Sequence, residues 1–318
     1  MTSAFGVRLE GMTDTTETVT TPRTDDAQGS GRRLRAAAAD GVLVALDIDG
    51  TLLRTRADVP DVVVAAVAAA RRAGHHVVLA SGRSLVGVLP VARRLGIDAG
   101  WVVTSNGAVV ARLDAACPGG YELDTVRTFD VEPVIRRARS LVPAVQVGVE
   151  EIGWGYRVTS PFDPAAVNGD QRQVPDAELW EVPATRVILR GEGAARLVEP
   201  LRSLGVTPVP AAADWVDVTP RDLSKATALE HVRATVGVAA ARTVAVGDGV
   251  NDLEMIAWAA RGVAMGHAPA VLRDAADEVT GTFDEHGVVA VLRSLVTPAV
   301  SARTAGPASG GAARPCAG

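Results

Sequence analysis

Four acidic residues stand in two places where a buried charge must be put to use. Asp47 and Asp49 lie in "LDIDGTLL" (46–53), directly after the apolar run "GVLVA", and Asp248 and Asp252 lie in "GDGVNDLEM" (247–255), after "TVAV". An ionised carboxylate at the end of an apolar strand is costly unless it is paired or coordinated. An aspartate in that position can attack phosphorus as a nucleophile, forming an acyl phosphate that water then cleaves. A second acid two residues on points to the same side of an extended segment and can serve as general acid and base. Gly50 permits a sharp exit from the strand and a close backbone approach to an anion, while Thr51 can bond within the turn. Two acids facing a dianionic phosphate would repel it, so a cation is required. Asp248 and Asp252 supply oxygen ligands of the kind that select Mg2+ with retained waters. The charge left on a transferring group calls for donors, and Ser81 and Lys225 suit that role.

Lys225 is set apart by composition. It is the only lysine in the chain, against 31 arginines. One lysine on a helix is ordinarily a solvated cation, but a single survivor where arginine is used everywhere else points to a position that needs a compact ammonium. The five histidines, His75, His76, His231, His267 and His286, show no metal-ligand spacing and read as surface or turn residues.

The elements that must position these groups follow from hydrophobic pattern. "VLVALD" (42–47) and "HVVLAS" (76–81) are continuous apolar runs, the pattern of strands buried on both faces. Pro60 opens an Ala/Val-rich helix ending near Gly74, and "SLVGVLPVARRLG" (84–96) is a second helix. "WVVTSNGA" (101–108) predicts a third strand ending in a turn. The same alternation resumes with a helix over 225–237, a strand over 243–248, a helix over 251–260, short strands over 262–265 and 277–280, and a closing helix over 287–296. Alternating βαβ units predict a Rossmann-like α/β core with a parallel sheet and helices on both faces. In such sheets the site lies beyond the carboxyl ends of the strands, where Asp47, Asp49, Ser81, Asn106 and Asp248 should converge.

Residues between about 110 and 215 read differently. "GYELDTVRTFD", "VQVGVEEIGWGYRVT" and "PATRVILRGE" alternate polar with apolar as half-exposed strands do, with helices only over 130–142 and 194–204. They predict an α+β lobe, an antiparallel sheet with a helical layer, inserted over 111–214 between core segments 41–110 and 215–296. Trp154, Tyr156 and Trp180 in this lobe read either as core packing or as a substrate-facing rim. Residues 1–40, with a second methionine at Met12, and 297–318 have the composition of disordered tails.

Composition narrows the function further. Across 318 residues the hydrophobic content is 47% and the formal net charge −5, with both signs interspersed, so no basic face points to nucleic acid. The two cysteines, Cys117 and Cys316, lie too far apart in sequence for a CxxC site, which fits a reducing compartment. No apolar run reaches the roughly 20 residues of a membrane helix and no signal pattern opens the chain, so a cytoplasmic location is expected. The oligomeric state is not encoded in any feature of the sequence.

The motifs together resemble the haloacid dehalogenase superfamily, in its Cof-type phosphatase branch with a large cap inserted late in the core. "DIDGT" (47–51), "LASGR" (79–83), the lysine of "RDLSKATAL" (221–229) and "GDGVNDLEM" occur in the family's order, with "TSNGA" (104–108) and "VAMGHAP" (263–269) as accessory stretches. The resemblance covers about 41–296; Ala226 stands where the branch commonly has Gly. It implies that Asp47 is the nucleophile and binds Mg2+ with its other oxygen, and that Asp49 is the acid/base and ligates the metal through its backbone carbonyl. It further implies that Ser81 and Lys225 hold phosphoryl oxygens, that Asp248 completes the metal site, and that Asp252 supports it. Asn106 and Asn251 would contact phosphate or substrate; Gly82 and Arg83 follow Ser81, with Arg83 a further substrate contact. Asn106–Gly107 is equally a favourable turn, and Ser81 could be a helix N-cap.

The expected function is a Mg2+-dependent phosphatase acting on a small phosphorylated metabolite, with the cap closing over it. Phosphoryl transfer to another metabolite differs only in the acceptor. A sugar-phosphate sensor without catalysis is the third reading, and Asp47, Asp49, Asp248 and Lys225 speak against it, since sensing needs no nucleophile.

Overall fold

The computed structural model describes residues 41–54 and 58–296; both predicted tails lie outside the described residues. Fourteen strands form two sheets among these residues. The first sheet contains β1 (Leu43–Leu46), β2 (His76–Ala80), β3 (Ala99–Thr104), β4 (Val109–Asp114), β5 (Tyr121–Val126), β12 (Thr243–Gly247), β13 (Arg261–Ala264) and β14 (Glu278–Val279). The second contains β6 (Gln146–Glu151), β7 (Gly155–Val158), β8 (Asp170–Gln173), β9 (Val187–Arg190), β10 (Val206–Ala212) and β11 (Trp215–Pro220).

In the first sheet the order is β14-β13-β12-β1-β2-β3-β4-β5. Pairing is parallel from β14 through β3, with β1 central between β12 and β2. Residues alternate across β1: Val44 and Leu46 pack into one apolar layer, Leu43 and Ala45 into the other. The first layer takes in the buried faces of helices Asp61–Arg72, Leu85–Arg94 and Gly287–Val296. The second takes in those of Lys225–Val236, Leu253–Trp258 and Ala270–Ala275. A sheet covered on both faces explains why its central strands read as unbroken apolar runs.

The second sheet runs β10-β11-β9-β6-β7-β8, antiparallel except for the parallel pair β7–β8. One face, through Val147, Val149, Val187, Leu189, Val216 and Val218, packs on helix Glu132–Leu141 and its neighbours. The expected α+β lobe is therefore present, but its sheet membership differs from the expected limits of 111 and 214. Residues 109–126 form antiparallel strands that extend the first sheet, because the tight turn after β3 returns the chain alongside it. Residues 215–220 belong to the second sheet, paired with both β9 and β10. Of the lobe's aromatics, Tyr156 is buried among apolar neighbours, Trp180 packs at the edge of the helical layer, and Trp154 is exposed.

Candidate active site

The strands β1, β2, β3 and β12 run parallel, so the chain segments that follow them emerge on the same side of the first sheet. Asp47 follows β1 and remains in register, its N–H donating to the Val246 carbonyl at 3.0 Å. Asp248 follows β12, the strand beside it. Lys225 is the first residue of its helix, where Ser224 caps the end: the Ser224 hydroxyl accepts from the Thr227 N–H and Thr227 bonds back to the Ser224 N–H. This box fixes the direction in which the Lys225 stem leaves.

At the centre, Lys225 Nζ donates to Asp47 Oδ1 and to Asp252 Oδ1, each at 2.6 Å. All three side chains are buried. The second oxygen of Asp252 accepts from the backbone N–H groups of Asp248 and Gly249, both at 2.9 Å. Asp252 is thus fully engaged, bracing the lysine on one side and the loop after β12 on the other. Asp248 Oδ1 accepts from the Thr51 hydroxyl at 3.2 Å. Gly50 adopts φ +86°, and a Cβ there would fall 2.1 Å from Asp248 Oδ2, so only glycine lets the two loops approach.

Charge in this cluster is unbalanced. Ligand oxygens of Asp47, Asp248 and Asp252 lie within 4.8 Å of one another. Burial, then the neighbouring Asp252, push the Asp47 carboxyl well above the ordinary carboxylate range, against the pull of Lys225. Asp248 is raised for the same first two reasons. Burial alone would lower the Lys225 ammonium, but Asp252 and Asp47 outweigh it and hold it above its ordinary value. Three close carboxylates against one ammonium leave two negative charges, the deficit that one divalent cation would fill. An all-oxygen donor set of this charge fits Mg2+.

The remaining predicted residues line the same edge. Arg83 grips Asp49 with two bonds, Nε to Oδ2 at 2.7 Å and Nη2 to Oδ1 at 2.5 Å. The pair is 34 residues apart in sequence and no local spacing announces it. Ser81 does not cap the following helix, whose N-cap is Ser84; the Ser81 hydroxyl accepts from the Arg83 N–H at 3.1 Å. Asn106 sits in the tight turn after β3, at φ +53°, and its Oδ1 accepts from Asn251 Nδ2 at 3.1 Å. It is both a turn residue and a site residue in position. Gly82 lies against it, with a built Cβ 3.1 Å from Asn106 Oδ1. His267 lies in an exposed turn, as read from the sequence, but it also reaches the site: its Nε2 lies 3.5 Å from Asp248 Oδ2, while Nδ1 accepts from the Phe283 N–H. The stretch "VAMGHAP" was the signal, since it follows β13 on the same edge.

The haloacid dehalogenase-like hydrolase family matches over residues 44–117 and 199–292; the unmatched stretch between them, 118–198, carries β6 to β9 of the second sheet, while β10 and β11 fall inside the matched residues. The Bacillus subtilis phosphatase YwpJ is 28% identical over 284 residues, covering 80% of this chain and 99% of its own. The B. subtilis 5-amino-6-(5-phospho-D-ribitylamino)uracil phosphatase YitU is 25% identical, covering 79% of this chain and 96% of its own. Among solved structures, a haloacid dehalogenase-like hydrolase from Bacteroides thetaiotaomicron superposes with TM-score 0.69 at 24% identity, covering 80% and 99% of the two chains. The subclass IIB sugar phosphatase BT4131 superposes with TM-score 0.67 at 24% identity, covering 80% and 98%. The chain belongs to the haloacid dehalogenase-like hydrolases, in the Cof-type branch that its motif order implied. Its class of activity is that of a phosphatase.

Proposed function

We propose that this protein is a Mg2+-dependent phosphatase of a small phosphorylated metabolite, a sugar phosphate or a related phosphoester, working through a phospho-aspartate on Asp47. The observation that carries this reading is the Lys225 ammonium held 2.6 Å from both Asp47 and Asp252. That ammonium occupies only one oxygen of Asp47 and leaves Oδ2 to attack. Asp47, Asp248 and the Asp49 backbone carbonyl would hold the cation, with Asp252 bracing Lys225 behind them. When bound, the cation neutralises the carboxylates and stabilises charge on the phosphoryl oxygens.

Ser81, Asn106 and Lys225 would hold the phosphoryl oxygens, with Asn251 fixing the Asn106 amide. A bond forms from Asp47 to phosphorus as the bond to the leaving oxygen breaks, and Asp49 gives that oxygen its proton. Asp49 then takes a proton from the water that cleaves the acyl phosphate. The second lobe acts as a cap that excludes water until the acyl phosphate has formed. The names of YitU and of the sugar phosphatase support a small, hydroxyl-rich leaving group.

A phosphate-release screen of the purified chain against a metabolite panel, with and without Mg2+, tests this reading. Asp47→Asn should lower turnover by at least about 10^3-fold. Wild-type turnover in that variant removes Asp47 as nucleophile, and turnover undiminished after exhaustive chelation removes the metal.

A further inference from the structure

A network of charged and polar side chains is buried where the cap meets the core. On the face of the second sheet opposite its helices, Glu150, Arg186, Asp217 and Tyr156 are all buried. Arg186 Nε donates to Glu150 Oε2 at 3.1 Å and Nη1 to Asp217 Oδ2 at 3.2 Å, while Nη2 donates to the Tyr156 hydroxyl. Trp215 Nε1 donates to the other Asp217 oxygen at 2.8 Å. Two further bonds leave the cap. Arg186 Nη1 donates to the backbone carbonyl of Gly82, and the Ser105 hydroxyl lies 2.8 Å from both oxygens of Glu150.

Both core partners belong to the loops that carry the phosphate-binding residues. Gly82 lies between Ser81 and Arg83, and Ser105 precedes Asn106. The two loops are themselves tied together, with the Ser105 N–H on the Arg83 carbonyl at 2.8 Å and the Asn106 N–H on the Ser81 carbonyl at 3.1 Å. Ser105 and Asn106 both have positive φ, 51° and 53°. Such backbone persists only where its surroundings hold it. A guanidinium fork is a rigid template for this task, and four of its five N–H donors are engaged by protein groups.

Resting on the phosphatase reading above, we infer that Arg186 and Glu150 are positioning residues of the phosphate site. With the cap seated, they set the Ser81–Arg83 loop and the Ser105–Asn106 turn in the geometry that aims Ser81 and Asn106 at the phosphoryl group and, through Arg83, fixes Asp49. They act on the phosphate end of the substrate and not on its leaving group.

The test uses the full chain carrying Arg186→Met, Arg186→Lys, Glu150→Gln or Ser105→Ala. Each is assayed on phosphomonoesters with small, large, neutral and charged leaving groups, p-nitrophenyl phosphate among them, and for inhibition by inorganic phosphate. Arg186→Met should lower kcat/KM by about 10- to 100-fold to the same extent on every ester, with phosphate inhibition weakened in parallel. Arg186→Lys should recover part of that loss. Amide hydrogen exchange over 81–84 and 105–107 should quicken in each variant. Losses confined to particular leaving groups, with phosphate inhibition unchanged, overturn the inference and make Arg186 a substrate contact. Unchanged kinetics and unchanged exchange overturn it as well. If Arg186→Met does not fold, the milder Ser105→Ala and Glu150→Gln carry the same expectations. A wild-type chain that releases phosphate from no ester defeats the phosphatase reading, while the exchange measurement still decides the positioning.

Discussion

Replacing Lys225 by methionine would leave Asp47 and Asp252 facing one another in a buried space with no positive charge between them. Removing one partner of a buried ion pair costs about 3–5 kcal/mol, because the charge left behind is uncompensated. Urea unfolding in chelator should show a loss of that size, and added Mg2+ should restore part of it by binding the native state. An unchanged unfolding midpoint would mean that the ammonium does not hold two ionised carboxylates in place. At this scale the sequence revealed the groups but not all their partners. Lys225 stood out against the arginines, and the acids stood out at the ends of apolar runs. The pairing of Arg83 with Asp49, and the approach of His267 to Asp248, join residues far apart in sequence. Residue type announces that such groups can bond, and only the folded chain decides with whom.

Among the elements, the turns do as much as the strands. Gly50 is the sharpest case, since its positive φ and the 2.1 Å spacing from a built Cβ to Asp248 Oδ2 both exclude a side chain. Gly50→Ala should cost roughly 1–2 kcal/mol of backbone strain and, by displacing Asp248, raise the Mg2+ concentration for half-maximal turnover. A variant with unaltered Mg2+ dependence would show that this turn does not place Asp248. The start of the Lys225 helix gives a milder test. Ser224→Ala removes one arm of the capping box and should lower stability by about 0.5–2 kcal/mol in denaturant titration. The buried parallel strands were legible because both their faces meet helices, which leaves an unbroken apolar run. The strand at 121–126 was legible as a strand but not as a member of the first sheet, and the strand at 109–114 was not read at all. Alternation reports one wet face, and it is silent on which sheet the strand joins.

For the whole molecule, the decisive contact is the one between the lobes. Gly87 on helix Leu85–Arg94 lies so near the cap that a Cβ there would come within 2.5 Å of Asn168 Cγ, and one on Gly169 within 2.8 Å of Val86 Cγ1. Gly87→Leu should therefore hold the lobes apart while leaving each core intact. Small-angle scattering should give a larger radius of gyration than wild type, and kcat/KM should fall with little change in Tm. Equal radii for the two proteins would mean that this contact does not set how the cap sits. The limits of the lobes could be read only roughly, because composition changes gradually across 110–130 and 205–220 while strand pairing changes abruptly. Among the described residues, no helix is long and apolar enough to cross a membrane.

The solitary lysine has a practical consequence. Feeding 15N-lysine to the expressing cells would place one side-chain ammonium in the nitrogen spectrum of the whole chain, and it would be that of Lys225. Its chemical shift and proton exchange would follow cation binding, phosphoryl capture and release without a label being attached or a residue changed. The chain carries its own single-channel reporter at the point where its charges meet.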